Sequence, residues 1–400
     1  MPERISFDTA NQLQVPDFPI IPFIKGDGIG NDIWPAAKRV LDAAVKSAFH
    51  SQRKIKWLEI IAGEKSHEKT GQWLSDEALS LIKDHRVVIK GPLSIPTEKG
   101  IENLDTRIRH RLDLYACVRP VKYLPPIFTS VQHPEKIDIV VFRENIEKSR
   151  PHRSIKLLEL LKSELNCELP LSRAMGLKPM SQEKIKRLVI KAFEYAVENH
   201  RKSVTLMHNG NVMKFAAGGV EKWGYKAAFE RFGHLIISEE EVFEKYEGLV
   251  PDGRVIIKDR IADMIFPEIL LRPGNFDVIV CPDLNGVDMS DTLTARVGGG
   301  GMMPGADIGD DCAVFKTTHG TLPHIAGKDV ANPCSLILSG AMMLDHMGWQ
   351  AAGDCVRKGV ANTLGTGKVT ADLVSRISRG EQVTCSRFSR IITEHILYQH

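Results

Sequence analysis

Short apolar runs recur along this chain, and most of them break into glycine or polar turns. Pro19–Phe23 reads PIIPF and breaks into KGDGIG; Trp34–Phe49 then carries apolar residues at helical spacing, Val40, Leu41, Ala44 and Val45 among them. Strand, glycine turn and helix in that order is the α/β signal. Val87–Ile89, before Lys90-Gly91-Pro92, predicts another buried strand that ends in a turn. Ile137–Phe142 (IDIVVF), Ser203–Met207 (SVTLM) and Asp277–Cys281 (DVIVC) repeat the pattern, with helical stretches such as Glu183–His200 and Lys214–Phe232 between them. A sheet of this kind places its ligands at the carboxyl ends of its strands. Gly298–Gly301, with Pro304-Gly305, predicts a crossing between two lobes. Ser149–Lys178, of mixed charge, fits an excursion away from the core.

Composition narrows the class without naming a chemistry. A length of 400 residues suits two lobes or one large α/β unit. A net charge of +3 gives no argument for nucleic acid or an anionic membrane. Seven cysteines, at 117, 167, 281, 312, 334, 355 and 385, are odd in number and never spaced C-x-x-C, the usage of a reducing compartment. The opening MPERISFDTANQLQ lacks the pattern of a signal peptide, and no run approaches the ~18 apolar residues of a membrane span. The expectation is a cytoplasmic, enzyme-sized protein with neither a membrane nor a nucleic-acid partner.

The candidate chemistry is read residue by residue. Glycines 26, 28 and 30 of KGDGIG do not make G-x-G-x-x-G; a tight strand-to-helix turn needing positive φ explains them as well as a phosphate cradle does, and taken alone is the favoured reading. Arg107, Arg109, Arg111, Arg119 and Arg143 suit a polyanionic small molecule, because a guanidinium grips a carboxylate as a rigid fork. Solvated surface charge is the commoner fate of an arginine, but Arg119 and Arg143 lie beside strand-like runs. Asp259, Asp283, Asp288 and Asp291 offer oxygens for magnesium or manganese, and equally for helix capping and surface charge. His319-Gly320-Thr321 and Asn332-Pro333 read as a polar loop free to hold a ligand.

Together, IPFIKGDGIGNDI, IKGPLSIP, LDLYACVRPVKY, VVFREN, VTLMHNGNVMKF, VIIKDRIAD, NGVDMSD, PGADIGDD, THGTLPHIAG and ANPCSLILSGAMMLDHMGW follow the order of the isocitrate/isopropylmalate dehydrogenases. From about Pro19 to the C-terminus the chain resembles that family, and within it the bacterial-type NADP-dependent isocitrate dehydrogenases. The resemblance implies an α/β fold with large and small lobes and a dimer clasp. Residues 1–114 and 298–400 would form the large lobe, 115–147 and 183–297 the small lobe, and 148–182 the clasp. It also implies a homodimer whose active sites are shared, and oxidation of a 2-hydroxy acid by hydride transfer to a nicotinamide, followed by decarboxylation with a divalent metal.

Carried over position by position, the resemblance makes Arg109, Arg119 and Arg143 the substrate carboxylate grip, with Ser94 nearby. Asp259 and Asp291 match metal-binding aspartates, and His319, Gly320 and Asn332 the cofactor loop. Other positions depart from the pattern. Asn209 stands at the catalytic lysine and Arg150 at the catalytic tyrosine, and neither side chain titrates usefully near neutral pH. Val287 replaces a third metal aspartate, with Asp288 adjacent but expected to project elsewhere. Lys316 replaces a glutamate, and Asn103 and Asp105 replace the serine and asparagine that contact the substrate's distal carboxylate. His324, Ile325, Ala371 and Ser375 fall where NADP-dependent members hold the 2′-phosphate, which leans the cofactor toward NAD, with His324 or Arg376 still able to pair with a phosphate.

These departures predict a divergent dehydrogenase acting on an isocitrate-like polycarboxylate or related anion. The alternatives are an inactive, ligand-binding or regulatory paralogue and, third, a weak isocitrate dehydrogenase.

Overall fold

The computed structural model describes residues 1–95, 102–146, 150–152, 162–164, 175–177, 180–210 and 218–398. Eleven strands form one sheet: β1 Ile20–Ile24, β2 Lys56–Glu59, β3 Val87–Lys90, β4 Ala116–Lys122, β5 Asp138–Glu144, β6 Ser203–His208, β7 Ile236–Ser238, β8 Val255–Ile261, β9 Val278–Cys281, β10 Pro304–Ile308 and β11 Ala313–Thr317. Their order is β7-β8-β6-β9-β5-β4-β10-β11-β3-β1-β2. Strands β7, β8, β6, β9 and β5 pair in parallel, as do β11, β3, β1 and β2. Between these blocks, β4 is antiparallel to both β5 and β10, and β10 is antiparallel to β11. An odd number of reversals makes the two parallel blocks run in opposite directions.

The parallel strands read as continuous apolar runs because helices cover them. Val87, Val88 and Ile89 of β3, and Val278 through Cys281 of β9, are all buried. Helices Gly30–Ala48, Cys334–His346, Gln350–Gly365 and Cys385–Leu397 pack one core, in which Phe23 stacks on Trp34 at 4.2 Å. A second core joins helices Gln182–Glu198 and Gly218–Phe232 to the middle strands through Phe142, Phe193 and Leu206. Each such fully buried side chain contributes about 1.5–3 kcal/mol.

The helices start where side chains satisfy their free N–H groups. Ser181 accepts from Lys184 N, and Asn103 accepts from Thr106 N at the head of helix Leu104–Arg111. The expected strands and helices are present, within a few residues at their ends. The predicted helix from Lys214 is described from Gly218 on. In the KGDGIG turn, Gly26 has φ +89° and Gly28 φ +55°, and an added Cβ would meet the Pro92 and Thr321 carbonyl oxygens. Asp27 N and Ile29 N already donate to those carbonyls, at 2.7 and 2.9 Å. The turn reading therefore holds, since those amides are spent inside the protein. Most of 148–182 lies outside the described residues; within it Arg150–His152 pairs antiparallel with Met175–Leu177.

Candidate active site

The antiparallel centre of the sheet carries a row of charge. Arg143 on β5 and Asp307 on β10 are both Cα partners of Cys117 on β4, so all three share one face. Asn145 bridges the row, accepting from Arg143 Nη2 at 3.1 Å and donating to Asp307 Oδ1 at 3.0 Å. Arg119, two residues along β4 from Cys117, donates from Nη1 to Ser290 Oγ at 2.6 Å and to Asp291 Oδ1 at 3.1 Å, on helix Asp283–Arg296.

At the other side of the row, Lys90 on β3 and Lys316 on β11 are Cα partners on adjacent strands. Like charges opposite one another on a sheet repel, and each here has its own counter-ion. Lys316 pairs with Asp307, both nearly buried. Lys90, only 2% exposed, pairs with Asp105 at 2.9 Å and donates to the Gly91 carbonyl. Burial alone would raise the Asp105 carboxyl, but Lys90, Lys316 and Arg109 outweigh it and hold it well below the usual carboxylate range. Burial would likewise raise Asp307, and Lys316 and Arg109 lower it.

Two arginine groups remain open to a ligand. Arg109 donates from Nη2 to Thr106 Oγ1 at 3.0 Å, while its Nε, like that of Arg119, is buried with no hydrogen-bond partner. A buried N–H left unmade is costly unless something arrives to accept it. Arg107 and Arg111, by contrast, both turn to Asp76 at 3.3 Å and lie outside this group.

The proton-handling side looks different. Asn209 donates from Nδ2 to Asn285 Oδ1 at 3.0 Å, an amide pair that moves no proton. Its neighbour His208 accepts from Gly210 N at Nδ1 (3.1 Å), which leaves Nε2–H facing Asp259 Oδ2 at 3.2 Å. Tyr225 donates to the other Asp259 oxygen at 3.1 Å. Hydrogen bonding to Asp259 raises His208, whereas its bond to His208 lowers Asp259.

Among the described residues, His208, Glu221 and Asp259 form the one set of three potential metal ligands with donor atoms within 4.8 Å of one another. A histidine that donates Nε2–H to Asp259 is not presenting that nitrogen to a metal. Asp259 thus bonds to His208 and Asp291 to Arg119, and among the described residues no set of three donors includes both aspartates. Val287 is half-buried and offers no oxygen, and Asp288 is exposed. The residues of one chain therefore do not fit the expected magnesium or manganese site.

The family description "Isocitrate/isopropylmalate dehydrogenase" matches residues 20–392. The chain belongs to this family. It is 42% identical to a protein named isocitrate dehydrogenase [NADP] from Archaeoglobus fulgidus, over 98% of this chain and 96% of that one. It is 43% identical to a protein of the same name from Coxiella burnetii, over 99% and 95%. A crystal structure of isocitrate dehydrogenase from Methylococcus capsulatus superposes with a TM-score of 0.76 at 28% identity, covering 94% of this chain and 99% of that one. Both curated relatives are named for NADP, so the expected lean toward NAD finds no support among them.

Against this family background, the expected cofactor loop divides in two. His319 donates from Nδ1 to the Gly320 carbonyl at 3.0 Å, which leaves Nε2 an acceptor, buried without a partner. Burial lowers the His319 pKa, and a Cβ at Gly320 would meet open space. These two fit a ligand. Asn332 is already occupied, donating to Asp372 at 3.0 Å and accepting from Cys334 N at 2.9 Å. Ser94 is likewise tied down, donating from Oγ to Glu64 at 2.6 Å and from N to Asp27 at 2.7 Å. His324 is exposed on the turn Pro323–Ile325, where Ile325 packs on the core. Arg376 donates to the Ala295 carbonyl at 3.2 Å.

Sequence reasoning gave Lys90, Asp307, Asn145 and His208 no part in the site. The one available signal was a lysine closing the otherwise apolar run VVIK.

Proposed function

We propose that this protein is a nicotinamide-dependent dehydrogenase of polyanionic 2-hydroxy acids, isocitrate-like in its substrate grip and altered in its proton handling. The observation that carries this reading is the pair of buried, partnerless Nε–H groups on Arg109 of helix Leu104–Arg111 and on Arg119, which shares a sheet face with Arg143. Donors fixed in advance bind carboxylates without reorganising. The net reaction is 2-hydroxy acid plus oxidised cofactor to 2-oxo acid, reduced cofactor and a proton. When bound, the nicotinamide accepts the hydride. The chain's own residues orient the substrate through the arginines. Asp291, 58% exposed and held by Arg119, takes the hydroxyl proton. The relatives' names make NADP the expected cofactor, with exposed His324 meeting its 2′-phosphate.

We divide the chain into a large lobe (1–114 and 298–400), a small lobe (115–147 and 183–297) and a clasp (148–182), and take the working unit as a cytoplasmic homodimer. Among the described residues, no helix is long and apolar enough to cross a membrane.

A second reading, a ligand-binding paralogue without turnover, is favoured by the Asn209–Asn285 amide pair and by Val287. Calorimetry and thermal shift with NADP, NAD and isocitrate, each with and without magnesium or manganese, separate the two. A ligand at a hundred times its Kd stabilises the fold by about 2.7 kcal/mol. Binding of a nicotinamide cofactor, with hydride transfer to it from a hydroxy acid, supports the dehydrogenase. Anion binding without cofactor binding supports the second reading, and well-folded protein that binds neither overturns both.

A further inference from the structure

The anion-binding face carries three carboxylates among its donors: Asp291 held by Arg119, Asp307 paired with Lys316, and Asp105 beside Arg109. Asp105 sits one helical turn before Arg109 on Leu104–Arg111, so both side chains project from the same side of that helix. Its Oδ1 is buried against Lys90, while the side chain as a whole is 33% exposed. The rest of the carboxylate therefore faces outward, beside Arg109.

This acceptor is fixed in place. Lys90 is 2% exposed and lies opposite Lys316, and Lys316 is matched by Asp307. If Asp105 turned away or were neutralised, a buried ammonium would face another ammonium without a counter-ion. The two lysines thus hold a negative oxygen at the edge of the arginine cluster. Asn103, at the head of the same helix, is held as its cap, its Oδ1 accepting from Thr106 N at 3.2 Å.

Resting on the dehydrogenase reading above, we propose that Asp105 is a specificity-determining residue: the preferred substrate gives two carboxylates to the arginines and a neutral hydrogen-bond donor, a hydroxyl or primary amide, to Asp105. A third carboxylate would meet a like charge that cannot move, whereas an O–H or N–H donor completes its remaining oxygen. Selectivity would then come from repulsion of the wrong ligand as much as from attraction of the right one.

The test compares Kd values, by calorimetry on the full chain, for isocitrate and for two analogues whose CH2-carboxylate is replaced by a primary amide or a hydroxymethyl group. The native protein should bind at least one analogue about tenfold or more tighter than isocitrate. Asp105→Asn should erase that preference, and Asp105→Glu, which keeps the charge, should retain it. The comparison in the native protein stands even if Asp105→Asn fails to fold. Equal or tighter binding of isocitrate by the native protein overturns this inference and leaves the dehydrogenase reading intact. Absence of binding by all three ligands overturns both.

Discussion

Two regions of one sheet treat charge in opposite ways. Around β3 and β11, charged residues arrive in matched sets: Lys316 stands against Asp307, and Lys90 against Asp105. Around β6 and the head of helix Asp283–Arg296, the positions expected to hold a catalytic lysine and a third metal aspartate are neutral, an amide at Asn209 bonded to Asn285 and an alkyl chain at Val287. A buried charge left without its partner costs several kcal/mol, so a change to one member of these pairs strands the other. Asn209 is half-buried and hydrogen-bonded, and its exchange for lysine changes chemistry more than stability. The comparison teaches that the charged wall is tied to stability through its ion pairs, whereas the neutral wall loses little beyond one hydrogen bond on substitution.

The largest expected effect would break that contrast. Asn209→Lys, Arg150→Tyr and Val287→Asp together should raise kcat with isocitrate about 10²–10⁴-fold if lost proton-transfer groups are the limit. Steady-state kinetics on the folded triple variant reads this directly, and an unchanged kcat means the charged wall also limits turnover.

Next comes Asp307→Ala, which strands a nearly buried Lys316 and should cost about 3–5 kcal/mol. Urea unfolding measures it, and a loss below ~1 kcal/mol would show the wall to be far more adaptable than its geometry implies.

Acid should expose the same wall. Asp105 and Asp307 titrate below the usual carboxylate range in the folded protein. A depressed folded pKa means that their stabilisation is fully present above the unfolded value, about 3.9, and is lost as pH falls through the folded values. Denaturant midpoints between neutral pH and about pH 3 should therefore drop more steeply for the native protein than for Asp307→Asn.

The smallest effect belongs to the neutral wall. Asn209→Ala should cost only about 0.5–1.5 kcal/mol, the worth of one ordinary hydrogen bond. A cost matching that of Asp307→Ala would erase the contrast between the two sides.

Much of the fold was legible from local pattern, because strand, turn and helix each leave a short-range mark. PIIPF, KGDGIG and the helix after them lie together in sequence, and β1, the positive-φ glycines and Gly30–Ala48 follow. Residue type and family order singled out Arg109, Arg119 and Arg143, and the structure leaves the Nε of Arg109 and of Arg119 buried without a hydrogen-bond partner. The partners of Asn332 and Ser94 were not legible, because polar loop residues look alike in sequence; those partners are Asp372, Cys334, Glu64 and Asp27. Arg107 and Arg111 misled, since helical phase alone does not reveal that Asp76 waits outside.

By itself the sequence determined the α/β alternation, the family, and which residue types stand at each position of the site. Only the tertiary structure decided that Lys90 lies opposite Lys316 and that Asp105 and Asp307 answer them. Only it placed Asp259 with His208 and Asp291 with Arg119. The reason is register. Side chains hundreds of residues apart become neighbours through the pairing of strands and the packing of helices over them, and a shift of one residue along a strand turns every one of its side chains to the other face.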